Sequence, residues 1–181
     1  MKPNEKYNPT ALFIHIAKTG GSSIGKAPFV ILQGSPAWSP KIAVNDLGLR
    51  MSFTFVRNPY SRFTSACLGH DYATPDSLEE WVLGEFREKC VEKFKNWEWQ
   101  ELIPQNRYLI HDGKEDVDFV GRFENIREDW KKLCERLGEE FELPHLNKNK
   151  ISNHESYMNE MIKAVVRDVY LEDFELLGYE K

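Results

Sequence analysis

Residues 11–25, ALFIHIAKTGGSSIG, decide how this chain is read. ALFIHI has the length and apolar content of a short buried strand, and the glycine pair close behind it marks a tight turn. A turn after a strand and before a helix lets backbone N–H groups converge on a phosphate-like anion. Lys18 adds a point charge to that turn, and Thr19, Ser22 and Ser23 add hydroxyl donors around Gly20 and Gly21. Taken alone, the same stretch also describes an ordinary tight turn whose serines do no more than cap a helix.

The stretch nearly matches the Walker A pattern, since Gly20, Gly25 and Lys26 hold the spacing of GxxxxGK[ST]. Ala27 follows, however, and alanine has no hydroxyl to hold a Mg²⁺ ion; Pro28 cuts short any helix behind it. Nor does an apolar strand end in an acidic residue that supplies a second metal anchor. ATPase or kinase chemistry is disfavoured on these grounds, and no metal site is expected.

Working outward, FVILQ (29–33) is a second apolar run and residues 41–48 suit a short helix. MSFTFV (51–56) alternates and is rich in β-formers, so it is expected to be a strand. It runs into Asn58 as an N-cap and Pro59 as the first helical residue, and that helix is expected to reach about Leu68. Ser77-Leu78-Glu79-Glu80 has the capping-box pattern and opens a helix to about residue 95. Residues 107–110 and 117–121 read as short strands separated by Asp112-Gly113. Asn125 opens a helix with Ile126, Trp130, Leu133, Cys134 and Leu137 on one face, and Gly138 ends it. A polar loop (144–154) precedes a last helix over 156–177, expected to bury Met158, Met161, Ile162, Val165 and Val169. Strands, glycine turn and helices in alternation predict an α/β fold, a mainly parallel sheet flanked by helices, in one domain over residues 1–181.

Composition narrows the function classes. With 181 residues, 41% hydrophobic and 29% charged, the chain has ordinary globular make-up, and a chain of this size buries roughly 70% of its unfolded surface. No apolar run approaches the ~20 residues of a membrane span, and MKPNEKYNPT at the start has no apolar signal core. Cys67, Cys90 and Cys134 lie far apart with no CxxC pair, which fits a reducing, cytoplasmic setting. Residues 1–70 carry a net charge of +6 and the remainder −11. A basic N-terminal part on an acidic chain suits a small polyanion better than a nucleic acid.

A second candidate anion site lies in FTFVRNPYSRFTSAC, residues 53–67. Arg57 falls where a strand ends and a helix begins, the position where ligands collect in open α/β sheets, and its guanidinium offers a bidentate fork for phosphate. Ser65 lies further along the same helix and can donate one more hydrogen bond. Two such anchors describe a ligand with two separate anionic groups and an adenine-like body between them.

FIHIAKTGGSSI (13–24) closely resembles the 5′-phosphosulfate-binding loop of sulfotransferases that use 3′-phosphoadenosine 5′-phosphosulfate (PAPS), and FVRNPYSRFTSA (55–66) resembles their 3′-phosphate-binding segment. VGRFENIREDWKKLCERLG (120–138), LPHLNKNK (143–150) and YLEDFELLGY (170–179) are similar to later blocks of the carbohydrate sulfotransferases. The resemblance implies the P-loop-like sulfotransferase fold and transfer of a sulfuryl group from PAPS, without a metal, to an acceptor hydroxyl on a carbohydrate. Lys18 would act on the leaving group as the catalytic cation. Thr19, Gly20, Gly21, Ser22 and Ser23 would cradle the 5′-phosphosulfate, Arg57 and Ser65 would hold the 3′-phosphate, and Asn147 and Lys148 would close over the nucleotide.

Ala17 stands where the family has proline, and Ser22-Ser23 replace its commoner Thr-Ser. Relatives often carry a histidine after a glycine where this chain has Gly34-Ser35, and no histidine occurs between His15 and His70. The proton acceptor is therefore not legible; His70 and Asp46 are weak candidates, and His15 on its strand reads as a packed residue. Two further readings stay open, a PAPS-binding module with impaired catalysis and a P-loop nucleotide kinase in which Lys26 is the phosphate lysine.

Overall fold

The computed structural model describes residues 9–33, 39–144 and 155–181. Along the chain run β1 (Ala11–Ile14), α1 (Gly21–Ile24), β2 (Val30–Gln33), α2 (Pro40–Leu47), β3 (Met51–Val56) and α3 (Pro59–Gly69). There follow α4 (Leu78–Trp81), α5 (Arg87–Lys95), α6 (Asn106–Leu109), β4 (Ile110–His111), β5 (Lys114–Glu115), β6 (Phe119–Arg122) and α7 (Ile126–Leu137). The chain closes with α8 (Glu160–Val169) and α9 (Leu171–Leu177). The described residues of Met1–Ile16, Gly20–Val56 and Tyr108–Lys148 form one compact unit, and those of Ala17–Thr19, Arg57–Arg107 and Asn149–Lys181 form another.

The first unit is built on a four-stranded sheet in the order β2-β1-β3-β6, every pair parallel. This is the α/β sheet flanked by helices that the alternation predicted. Parallel strands are covered on both faces, and the fully buried ALFI and MSFTFV runs are the sequence consequence. Phe13 stacks on Phe53, Phe53 meets Phe55 and Trp130 edge to face, and Phe29 stacks on Trp130. Gly121 on β6 is required for this packing, because a Cβ there would lie 2.5 Å from the Phe55 ring. Gly138, in the left-handed region at φ 68°, ends α7 as expected.

In the second unit α3, α4, α5, α8 and α9 pack around Phe63, Phe86 and Tyr170, whose rings lie within 6.4 Å of one another. Asn58 caps α3 as expected, its Oδ1 accepting from the Tyr60 and Ser61 amides, with Pro59 as first helical residue.

Several elements differ from expectation, each for a visible reason. Residues 106–109 are helical rather than a strand, because the Asp173 carboxylate takes the Gln105 and Asn106 amides and caps a turn there. The strand expected at 117–121 occupies Phe119–Arg122, since Asp118 bonds the Ser52 amide and hydroxyl before the strand begins. Ser77 does not cap α4; its hydroxyl is engaged by Thr74. Between α4 and α5 the chain makes one wide helical turn, Val82–Phe86. The last helix is two helices, broken where Tyr170 leaves helical geometry and donates its hydroxyl to the Leu102 carbonyl at 2.6 Å. Its buried face runs through Ile162, Val165 and Val166, with Met158 buried just before the helix, while Met161 is exposed and Val169 only partly buried. The loop expected at 144–154 lies, from residue 145 on, outside the described residues.

Candidate functional site

In the first unit, β1 and β3 are tied at their C-terminal ends by the Thr54 hydroxyl, which donates to the Ile14 carbonyl at 2.7 Å. Beyond Ile14, the His15 amide still bonds the Gln33 carbonyl at 2.7 Å, and its ring lies flat against the backbone of Gly21. A Cβ on Gly21 would lie 2.1 Å from His15 Nε2, so only glycine fits. Burial pushes the His15 imidazole below its ordinary pKa, as suits a packed residue. Gly20 is held at φ 95° with Ile126 Cδ1 2.6 Å from where its Cβ would be, so it too must be glycine. Its carbonyl accepts the Ser23 and Ile24 amides and starts α1. Ser22 is exposed and Ser23 partly so. The helix ends after four residues, and Lys26 stands exposed beyond it. The near-Walker spacing therefore builds no phosphate-cradling helix with Lys26 at its start.

The second unit contains Lys18, Thr19, Arg57 and Ser65. Arg57 is buried, and both ends of its peptide are locked by one side chain: its amide donates to Gln105 Oε1 at 2.9 Å, while Gln105 Nε2 donates to its carbonyl at 2.8 Å. Gln105 is itself fully buried, with its amide on Asp173 Oδ2 at 2.8 Å. The Arg57 guanidinium donates to Ser61 Oγ at 3.0 Å and to the Lys18 carbonyl at 3.2 Å. Ser61, Ser65 and Gly69 recur every four residues and form one stripe along α3, and Arg57 lies two residues before its start. Ser65 is buried on that stripe, and Thr19 is fully buried.

Lys18 has the left-handed backbone angle φ 69°, uncommon for a side-chain-bearing residue. Its ammonium lies at the far end of the stripe, 2.6 Å from where a Cβ on Gly69 would be. Burial, then the Arg57 guanidinium, pull the Lys18 ammonium below the ordinary lysine value, while Glu101 pushes the other way. Burial and the positive field of Arg57 thus both act against the charged lysine, and a nearby anion offsets them.

Glu101 stands at the end of α3 as well. Its Oε2 accepts from the Tyr72 hydroxyl at 2.9 Å, and its Oε1 lies 3.9 Å from His70 Nδ1. Asp71, at φ 56°, makes the sharp turn that folds His70 and Tyr72 toward the same carboxylate. The other acidic and histidine candidates stand elsewhere. Asp46 is exposed on α2, Glu79 is bonded by Asn159, and His111 faces Asp112 at 3.5 Å. Asn147 and Lys148 lie outside the described residues. Among the described residues no group of three or more His, Cys, Asp or Glu is arranged to hold a metal ion.

The glycine turn follows β1 and the arginine-led helix follows β3, in the order read from the sequence. A family model described as the Sulfotransferase family matches residues 8–180. The chain belongs to the sulfotransferase family. Membership rests on nearly the whole chain, and it makes the protein a transferase. No curated protein and no solved structure matches the chain. No helix among the described residues is long and apolar enough to cross a membrane.

Sequence reasoning missed three residues that shape this sulfotransferase. Arg62 is buried and donates to the carbonyls of Ala17, Glu101 and Ile103, gathering the Lys18 loop and the Glu101 segment onto α3. Gln105 positions Arg57, and Asp173 positions Gln105. A second arginine one turn after the first was the available signal for Arg62. The other two act through partners 48 and 68 positions away, for which the sequence carries no local sign.

Proposed function

We propose that this sulfotransferase carries a sulfuryl group from PAPS to an acceptor hydroxyl on a carbohydrate. The observation that carries the reading is that the Arg57 guanidinium bonds the Lys18 carbonyl, while burial and the Arg57 charge lower the pKa of the Lys18 ammonium. A polyanionic nucleotide answers that charge. In this reading Arg57 and Ser65 hold the 3′-phosphate, and Thr19, Gly20, Gly21, Ser22 and Ser23 cradle the 5′-phosphosulfate through N–H and hydroxyl donors. Lys18 offsets the charge that builds on the leaving phosphate oxygen, and positioning with electrostatics carries most of the catalysis. Asn147 and Lys148 are assigned to the same nucleotide by family likeness alone. The carbohydrate acceptor rests on the likeness of residues 120–138 and 143–150 to carbohydrate enzymes. One sulfotransferase domain over residues 1–181, working in the cytoplasm, completes the reading, supported by three buried unpaired cysteines.

The test is transfer of label from ³⁵S-PAPS, in EDTA, to a panel of mono- and oligosaccharides. Wild-type protein should label at least one member, and Lys18→Ala should reduce the rate by about 10²–10³. Full transfer by Lys18→Ala would overturn the assignment of the leaving-group cation.

A further inference from the structure

Lys18 has a backbone conformation that a lysine does not take unaided. We propose that Arg62 is the positioning residue of Lys18. Its guanidinium fixes the peptide in front of the lysine and, with Arg57 on the peptide behind it, holds the ammonium against the far end of α3. The inference rests on the transfer reading given under Proposed function.

At φ 69° Lys18 lies in the left-handed region, where the Cβ of an L-residue crowds its own backbone. Such a conformation persists only where the surroundings impose it. Two hydrogen bonds do so here. The Ala17 carbonyl, in the peptide that enters Lys18, accepts from Arg62 Nε at 3.3 Å. The Lys18 carbonyl, in the peptide that leaves it, accepts from the Arg57 guanidinium at 3.2 Å. Arg62 sits within α3 and Arg57 two residues before it, so both peptides are tied to one element. Peptide units are planar, and fixing the two planes that flank a residue fixes its φ and ψ.

Arg62 acts from a place that no ligand reaches, since it is only 1% exposed. Its Nη2 donates to the Ile103 carbonyl at 2.7 Å and to the Glu101 carbonyl at 3.0 Å. One guanidinium therefore carries the Lys18 peptide on one side and the Glu101 segment on the other. Glu101 supplies the charge that supports the Lys18 ammonium against burial and Arg57. The planar fork meets three carbonyls from fixed directions, which a lysine ammonium on its flexible stem does not reproduce. Once the Ala17 peptide is released, Lys18 relaxes out of the left-handed region, its Cβ turns, and the ammonium leaves Gly69.

The experiment is a double-mutant cycle of Arg62→Lys and Lys18→Ala, with Arg62→Gln as a second variant. It reads bisphosphate release from PAPS with saccharides or water as acceptor, calorimetric binding of adenosine 3′,5′-bisphosphate and of adenosine 3′-phosphate, and urea unfolding. Arg62→Lys should lower kcat by about 10–10²-fold when Lys18 is present, the scale of a displaced catalytic group. In the Lys18→Ala background the further loss should be no more than about twofold, because Arg62 acts through Lys18. Affinity for the 3′,5′-bisphosphate should fall, while the 3′-monophosphate, held by Arg57 and Ser65, should bind as before. Unchanged kcat, equal losses in both backgrounds, or equal weakening of both nucleotides would overturn the role. Loss of the cooperative urea transition in both Arg62 variants would overturn it too, because Arg62 would then serve the fold. So would wild type that binds the bisphosphate but releases none from PAPS. Wild type that fails to bind the bisphosphate would overturn the donor reading beneath it instead.

Discussion

Lys18 shows most directly how this molecule uses charge. Its ammonium is half-buried, and burial together with the charge of Arg57 holds its pKa below the ordinary 10.5. The sign follows from linkage. The penalty on the charged form is fully present at neutral pH and lifts as pH rises toward the ordinary lysine value. A bound nucleotide anion removes that penalty while Lys18 is charged. Affinity for adenosine 3′,5′-bisphosphate should therefore be full near pH 7 and fall as pH passes through the lowered Lys18 pKa, before 10.5 is reached. Calorimetry across that range checks it, with Lys18→Met expected to bind weakly and with a flat profile. A wild-type affinity that holds to pH 10.5 would show that the ammonium does not meet the ligand.

At the scale of elements, the site depends on a relay that starts in α9. Asp173 is buried, which pushes its carboxyl above the usual range, while Arg62 and the amides of Asn106 and Gln105 pull it back. It therefore serves as an acceptor, turning residues 106–109 into α6 and placing Gln105 against the Arg57 peptide. Removing it should cost about 2–4 kcal/mol, since two buried amides lose a charged acceptor. Asp173→Ala should show this in urea unfolding, and it should weaken bisphosphate binding as Arg57 loosens. Unfolding energy lost with affinity intact would separate Arg57 from the relay. These are also the elements that local sequence described worst. Tyr108, Leu109 and Ile110 look like a strand, and only a carboxylate 67 positions from Asn106 makes the turn helical. Tyr170 looks like helix interior, yet its hydroxyl bond to Leu102 breaks the helix there. By contrast β1, β3, the glycine turn and the Asn58-Pro59 helix start were legible, because apolar runs, glycine conformation and capping are local effects.

For the whole molecule, β1 and β3 are adjacent parallel strands, each followed in the chain by one of the two proposed anion sites, and the sulfotransferase family match spans residues 8–180. The family was readable from the residues of these two stretches. The cluster of His70, Tyr72 and Glu101 was not, because Glu101 meets Tyr72 from 29 positions away in the chain. The central claim, a nucleotide carrying separate 3′ and 5′ anionic groups, is tested by thermal stability in EDTA with adenosine 3′,5′-bisphosphate, ADP or ATP, and with ATP plus Mg²⁺. At 100 times its Kd a ligand adds about 2.7 kcal/mol, which for a domain of this size is about 5–10 °C. The account predicts that shift with the 3′,5′-bisphosphate in EDTA and its loss in Arg57→Ala; stabilisation by ATP with Mg²⁺ alone would contradict it.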